Sequence, residues 1–365
     1  MSWTPAEIPP QHHRRALITG ANSGIGYHTA LELARHGATV MLASRDRTRG
    51  EAALANLRAE VPHADVELVL LDLASLQSIR TFAQQELTHN RPLHLLINNA
   101  GVMAPPARLE TADGFELQFG TNVLGHFALT GLLLPALERA ALASKENASP
   151  VDSPQTAVPV VPTDKATIAN IPVFSGDLLP ENTTQPPRIV TIASIAHKRG
   201  QLNFDDLQST RTYSPMGAYQ QSKLADLVFA FELNRRLRAA NSPILSLAAH
   251  PGVANTNLFQ PGDRPAFERA IRKALGRAIH FLLNTDAEGA IPTLYAATSP
   301  QAQPGAYYGP QGFQEMRGAD PGPAKIAPQA LNQNDATRLW QTCEQLTQTH
   351  YLDQRQDARR PLLQL

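Results

Sequence analysis

Along the first hundred residues, short apolar runs alternate with amphipathic stretches. The runs Ala16–Ile18, Thr39–Ala43, Val66–Leu71 and Leu93–Ile97 are continuous enough in apolar character to predict strands covered on both faces. Between them, Gly26–His36, Gly50–Glu60 and Leu76–Leu87 carry apolar residues at helical spacing. Strand–helix alternation with such short connections predicts a parallel sheet wrapped by helices on both faces. Right-handed crossovers make it doubly wound.

The rhythm resumes further on. A helix is predicted over Phe115–Arg139, a strand over Arg188–Ala193, a helix over Gly217–Ala240 and a strand over Ile244–Ala249. The second of these helices repeats Leu224, Leu227, Val228, Phe231 and Leu237 on one side. The expectation is a single α/β domain over residues 14–345, with tails at 1–13 and 346–365.

Two segments break the pattern. Residues 143–187 hold eight prolines among Ser, Thr, Asp and Asn. Proline cannot sit in a central strand or a helix interior, so this reads as an insertion between a helix and a strand. Residues 255–283 carry Phe267, Ile271, Leu275, Ile279 and Leu282 on one helical face, which suits core packing or a lid over a lipophilic substrate, with a membrane-surface anchor the alternative.

Composition narrows the function classes. A formal charge of +0, with 42% hydrophobic and 18% charged residues, gives no field to draw nucleic acid. The one cysteine, Cys343, excludes an intramolecular disulfide and a cysteine-built zinc site. His126, His197 and His250 have no metal-ligand spacing, so no metal is expected. The N-terminus lacks the apolar core of a secretory signal, and no apolar run is expected to reach the ~20 residues of a bilayer crossing. A cytoplasmic location is the expectation.

Chemistry begins at TGANSGIG, Thr19 to Gly26, which follows the first strand and opens the first helix. Gly20, Gly24 and Gly26 let the backbone turn and approach a pyrophosphate, while Asn22, Ser23 and Ile25 fill the loop. The helix start then offers free amides to the phosphates. The second strand ends in Ser44, Arg45 and Asp46. A carboxylate there would bind a ribose 2′-hydroxyl and an arginine a 2′-phosphate. Position favours Ser44 and Arg45, hence NADP(H), with Asp46 and NAD(H) the rival reading. Asp72 and Leu73 close the third strand, where a carboxylate and backbone can meet the adenine.

Tyr219 and Lys223 stand four apart on a predicted helix, one turn apart on one face. A neighbouring ammonium favours the phenolate and eases proton exchange with a carbonyl or alcohol oxygen.

Together these motifs resemble the short-chain dehydrogenase/reductase family, with its Rossmann-type fold. GxxxGxG, the NNAG of Asn98-Asn99-Ala100-Gly101, YQQSK and the Pro251-Gly252 to Thr256 segment all match its pattern. The retinol dehydrogenase-like branch, including the WW-domain oxidoreductases, is most similar through LQFGTNVLGHFALTGLLLPAL, RIVTIASIAHKRG and HPGVANTNL. The interval of 25 residues from Ser194 to Tyr219 also suits that branch. The resemblance implies that Asn99, Ala100 and Gly101 border the cofactor. Pro251, Gly252, Val253 and Thr256 would meet its nicotinamide amide. Ser194 would steady the substrate oxygen, Asn122 would hold a relay water, and Lys223 would also bind the nicotinamide ribose.

The implied reaction is hydride exchange between NADP(H) and a carbonyl or alcohol on a small, lipophilic molecule. Reduction of an activated carbon–carbon double bond, as in protochlorophyllide reductases, is the alternative within the family. A non-catalytic cofactor sensor or scaffold is the alternative outside catalysis. The family also implies a homodimer or homotetramer through the helices at 114–140 and 217–240. The insertion at 143–187 lies outside the family pattern, and no membrane-anchoring N-terminal helix is expected.

Overall fold

The structure, a computed structural model, describes residues 3–146, 185–253 and 284–352. Eight strands form one sheet in the order β3-β2-β1-β4-β5-β6-β7-β8. They are β1 (Arg15–Thr19), β2 (Thr39–Ser44), β3 (Val66–Leu70), β4 (Leu95–Asn98), β5 (Arg188–Ile192), β6 (Leu245–Ala249), β7 (Tyr307–Pro310) and β8 (Pro321–Pro323). All neighbours pair in parallel except β7 and β8. The chain winds outward from β1 to β3, then returns to β4 on the other side of β1. The order therefore reverses between β1 and β4, where open α/β sheets bind ligands.

Period-two alternation assigns each strand residue to one of two cores. Leu17, Met41, Ala43, Leu96 and Ile189 face a core built with α3 (Leu76–Thr88), α4 (Gly125–Glu146), α5 (Pro215–Ala239) and α7 (Gln333–Thr347). Ala16, Ile18, Val40, Leu42 and Val190 face the other, against α1 (Gly24–Arg35), α2 (Arg47–Glu60) and α6 (Asp286–Thr298). Burial on both faces explains why these strands read as unbroken apolar runs. β3 is the exception. It is an edge strand whose residues are mostly half-buried, and Leu70 is 41% exposed.

Several boundaries differ from the sequence reading. The helix expected from Phe115 begins two residues later, because Glu116 folds back to accept the Gln118 and Phe119 amides at 3.0 and 2.7 Å. It passes through a π-helical stretch, Phe119–Leu124, before α4. α4 then runs to Glu146, into the stretch assigned to the insertion. The tails also pack. Trp3 meets the Tyr295 ring edge-on with centroids 5.3 Å apart, and Ile8 and Gln11 are buried. At the other end, buried Tyr351 donates to the Phe127 carbonyl at 3.2 Å. Most of the insertion, the segment 254–283 and residues beyond 352 lie outside the described residues.

One stretch, Phe119–Ala143, does reach membrane-span length and hydropathy, correcting the expectation that none would. Its apolar window is 89% buried inside the protein, as expected of a core helix packed on a sheet.

Candidate active site

The parallel register brings the carboxyl ends of five strands level. Thr19 lies opposite Ala43, Asn98 opposite Thr191, and Ile192 opposite Ala249. The glycine loop, Ser44–Asp46, the NNAG segment, Ser194 and the His250–Gly252 turn leave the sheet at this edge.

Gly20 leaves β1 with φ +66°, a left-handed conformation that glycine adopts without strain, and a Cβ there would stand 3.0 Å from the Ala100 Cα. At Gly26 closeness rather than φ decides, since a Cβ would lie 2.7 Å from the Gly20 carbonyl oxygen. Ser23 precedes α1 without capping it through its side chain, so the first amides of α1 are left for a ligand. Asn22 and Ile25 belong to the same turn and helix start. A helix N-terminus cradled by glycine backbone fits a pyrophosphate.

The NNAG segment is tied to this loop. The Thr19 hydroxyl accepts the amides of Asn99 and Ala100, each at 2.9 Å, and the Asn99 side-chain amide donates to the Thr19 carbonyl at 2.7 Å. Gly101 looks toward the other side of the site. A Cβ on it would lie 3.4 Å from the Asn122 Oδ1 and 3.7 Å from the Lys223 Nζ. Asn122, within the π-helical stretch, is fully buried. It accepts from the Val102 amide at 2.8 Å and donates to the Val102 carbonyl at 3.1 Å and the Ser222 hydroxyl at 3.0 Å. Ser222 in turn donates to the Tyr219 carbonyl at 2.9 Å. The phosphate loop, Asn122 and the Tyr219 turn of α5 thus form one connected network.

Tyr219 and Lys223 are both buried on the inner face of α5. Lys223 Nζ donates to the Ile192 carbonyl at 2.8 Å, two residues before Ser194, and to Asp226 Oδ2 at 2.9 Å. Burial alone would lower the lysine pKa, but Asp226 and Tyr219 outweigh it and the net shift is upward, so the ammonium persists. Ser194 caps a short 3-10 turn, Ile195–Arg199, which packs against α5. His197 fixes that turn: its Nδ1 meets the Ser194 carbonyl at 2.6 Å while its Nε2 accepts the Ala327 amide at 3.3 Å.

Beyond β6, Gly252 donates to His250 Nδ1 at 3.1 Å and Val253 to the Met316 carbonyl at 2.8 Å. Asn284 reaches the Pro251 carbonyl at 3.1 Å. The segment after Val253, with the expected contact Thr256, lies outside the described residues.

The end of β2 separates the three candidates there. Ser44 is buried, and its hydroxyl donates to the Asp46 carbonyl at 2.9 Å. Asp46 is the N-cap of α2, accepting the Arg49 amide at 3.0 Å. Arg45 is exposed and makes no hydrogen bond or ion pair among the described residues. Asp72 turns its Oδ1 onto the Ala74 amide at 3.0 Å, and Leu73 is buried beneath Gly125.

Sequence reasoning missed Thr19 and His126 as links and Asp226 as a partner of Lys223. Asp226 left one trace, a carboxylate three residues after Lys223 amid Leu224, Ala225, Leu227 and Val228.

A glycine-lined phosphate site facing a buried Tyr–Lys pair, across the switch point of a doubly wound sheet, places the protein in the class of nicotinamide-dependent oxidoreductases. A family model described as short chain dehydrogenase matches residues 14–145. The chain is 38% identical to the polyprenol dehydrogenase of Homo sapiens, covering 81% of this chain and 76% of that one. It is 36% identical to retinol dehydrogenase 14 of Mus musculus, covering 91% and 85%. A crystal structure of an uncharacterized protein from Mycobacterium Paratuberculosis superposes with a TM-score of 0.68 at 38% identity, covering 96% of this chain and 99% of that one. The chain belongs to the short-chain dehydrogenase family, oxidoreductases of alcohol and carbonyl groups that bind a nicotinamide cofactor.

Proposed function

We propose that this protein interconverts an alcohol and a carbonyl on a lipophilic small molecule with NADP(H), and that Tyr219 is its acid–base. The observation that carries this reading is the placement of the Lys223 ammonium. It is pinned to the Ile192 carbonyl at the sheet edge that also bears Ser194 and the phosphate loop, one helical turn from Tyr219.

The bound cofactor would supply or take up the hydride. Gly20, Gly24 and Gly26 with the amides of α1 would hold its phosphates, and Lys223 its nicotinamide ribose. Tyr219 gives a proton to the substrate oxygen in reduction and removes one in oxidation. The Ser194 hydroxyl steadies that oxygen as charge builds on it. Lys223 places positive charge beside the phenol, and Asn122 fixes the backbone at Val102 across the site.

The state of Asp46 supports NADP(H). Its carboxylate is committed to the cap of α2, whereas Arg45 has no partner among the described residues and can take a 2′-phosphate through its guanidinium. Support for a lipophilic substrate comes from the two named relatives, whose polyprenol and retinol are both isoprenoid alcohols.

The test is oxidation of a panel of isoprenoid and short alcohols, and reduction of the matching carbonyls, with NADP(H) and NAD(H) in parallel. Turnover of an isoprenoid member with NADP(H) is expected, with a fall of roughly a hundredfold or more in Tyr219→Phe. A folded Tyr219→Phe protein with wild-type turnover would overturn the assignment.

A further inference from the structure

Asp226 lies on the stripe of α5 that carries Tyr219 and Lys223, seven residues beyond the first and three beyond the second. It is 2% exposed. One carboxylate oxygen accepts from Lys223 Nζ at 2.9 Å, and the other, Oδ1, finds no donor among the described residues. A buried carboxylate with one oxygen unserved is costly. Its neighbours Leu224, Ala225, Leu227 and Val228 are buried apolar residues, so packing gives no reason for a charge at this position. Its one partner is Lys223.

An ammonium has three donors. Ile192 takes one and Asp226 the second, leaving a single N–H for the active site. The pair therefore has a fixed orientation and, when both groups are ionised, little net charge. Lys223 and Tyr219 face Asp226 from its own helix. From α7, Cys343 stands close enough to feel its charge, with Glu344 beside it. His126 on α4 feels Lys223 and is held neutral by burial. β5 contributes the Ile192 carbonyl, and from β7 the Tyr307 phenol stands close enough to feel Tyr219, with Glu315 beside it.

We propose that Asp226 is a positioning residue: a buried counter-charge that fixes the Lys223 ammonium against β5 and sets the pH range over which Tyr219 exchanges its proton. This rests on the reading of Tyr219 as acid–base. Burial raises the Asp226 carboxyl to about 6, so it is ionised at neutral pH and offsets the lysine there. Removing the carboxylate leaves Lys223 as an unbalanced positive charge beside the phenol. Tyr219 then ionises more readily, and its titration moves to lower pH.

The experiment follows the ultraviolet absorbance of phenolate during alkaline titration, which requires no substrate. Subtracting the Tyr219→Phe titration isolates Tyr219 among the seven tyrosines. The same subtraction is made in an Asp226→Asn background, with circular dichroism monitoring the fold. The Tyr219 midpoint is expected to fall by about one pH unit in Asp226→Asn, and Asp226→Glu restores the wild-type curve. Asp226→Leu, which removes both carboxylate oxygens, gives the same downward shift should the asparagine variant not fold. A folded Asn or Leu variant whose Tyr219 titrates as in wild type overturns the proposal. Activity of Tyr219→Phe separates the two readings: an inactive Tyr219→Phe with an unmoved titration sinks only the role of Asp226, whereas an active one removes its premise.

Discussion

The His126 ring bridges the Thr19 hydroxyl, 2.9 Å from its Nε2, and the Asn122 carbonyl, 2.7 Å from its Nδ1. Burial pushes this imidazole down to about 4, so it is neutral, and the carbonyl requires the proton on Nδ1. Nε2 must then accept from Thr19, whose oxygen in turn holds the Asn99 and Ala100 amides. One side chain thereby couples the end of β1, where the phosphate loop starts, to the π-helical turn carrying Asn122.

His126→Phe removes both bonds while keeping a ring. Losing these two buried bonds costs about 1–3 kcal/mol of stability, while the Thr19 hydroxyl keeps the Ile97 carbonyl as an acceptor. Since Thr19 opens the phosphate loop, cofactor Kd is expected to rise roughly tenfold, the equivalent of about 1.4 kcal/mol. Denaturant unfolding and fluorescence titration with NADPH read the two effects. An unchanged Kd would show that the phosphate loop holds its shape without the histidine.

Arg45 and Asp46 separate cleanly by substitution. Arg45→Ala is expected to weaken NADPH by roughly ten- to a hundredfold, as loss of a charge-assisted contact would, and to leave NADH unchanged. Asp46→Ala removes the cap on the Arg49 amide and costs about 1 kcal/mol of stability. Retained NADPH preference in Arg45→Ala would assign the 2′-phosphate to another residue.

Acid should destabilise the fold. His126 and His250 are buried and His94 is half-buried, and loss of solvation holds them down at about 4, 3 and 4. Each stays neutral when folded and binds a proton near its ordinary value when unfolded, so its contribution is present above pH 6.5 and is lost as pH falls toward 4. Asp226 has the opposite sign. Raised to about 6, it takes up a proton in the folded state first and offsets one of the three. His197, also lowered by burial, adds to the loss, while Glu116, Glu138 and Asp286, raised by burial, offset part of it; the expected balance is a fall in stability as pH drops from 6 to 4. Urea midpoints at pH 7, 6 and 5 test this; equal values at all three would contradict it.

Cys343 gives a simple check on core integrity. It is buried among aromatic and aliphatic side chains, and burial pushes its thiol pKa up. A thiol reagent should leave it untouched in the native protein and modify it on unfolding. Rapid reaction under native conditions would mean that α7 opens readily.

Much of this was legible before any coordinates, because local physics wrote it into the chain. Burial on both faces made β1, β2, β4, β5 and β6 continuous apolar runs. The glycines of the phosphate loop were marked by their spacing after a strand. Tyr219 and Lys223 announced themselves by helical periodicity.

Other features were not local. Ser44, Arg45 and Asp46 are adjacent in sequence, and only the start of α2 shows that Asp46 is a cap and that Arg45 meets no partner among the described residues. The tails carry no periodic pattern, because polar residues and prolines surround single anchors. Trp3 is held by the Tyr295 ring and Tyr351 by the Phe127 carbonyl, roughly 290 and 224 residues away. The fold class, the phosphate loop and the Tyr219–Lys223 spacing were thus determined by the sequence alone, because strand and helix periods and glycine's backbone freedom act over a few residues. Which polar atoms meet was decided by the tertiary structure. Thr19 with His126, and Lys223 with the Ile192 carbonyl, are brought together by strand register and helix docking, and no short window of sequence contains both partners.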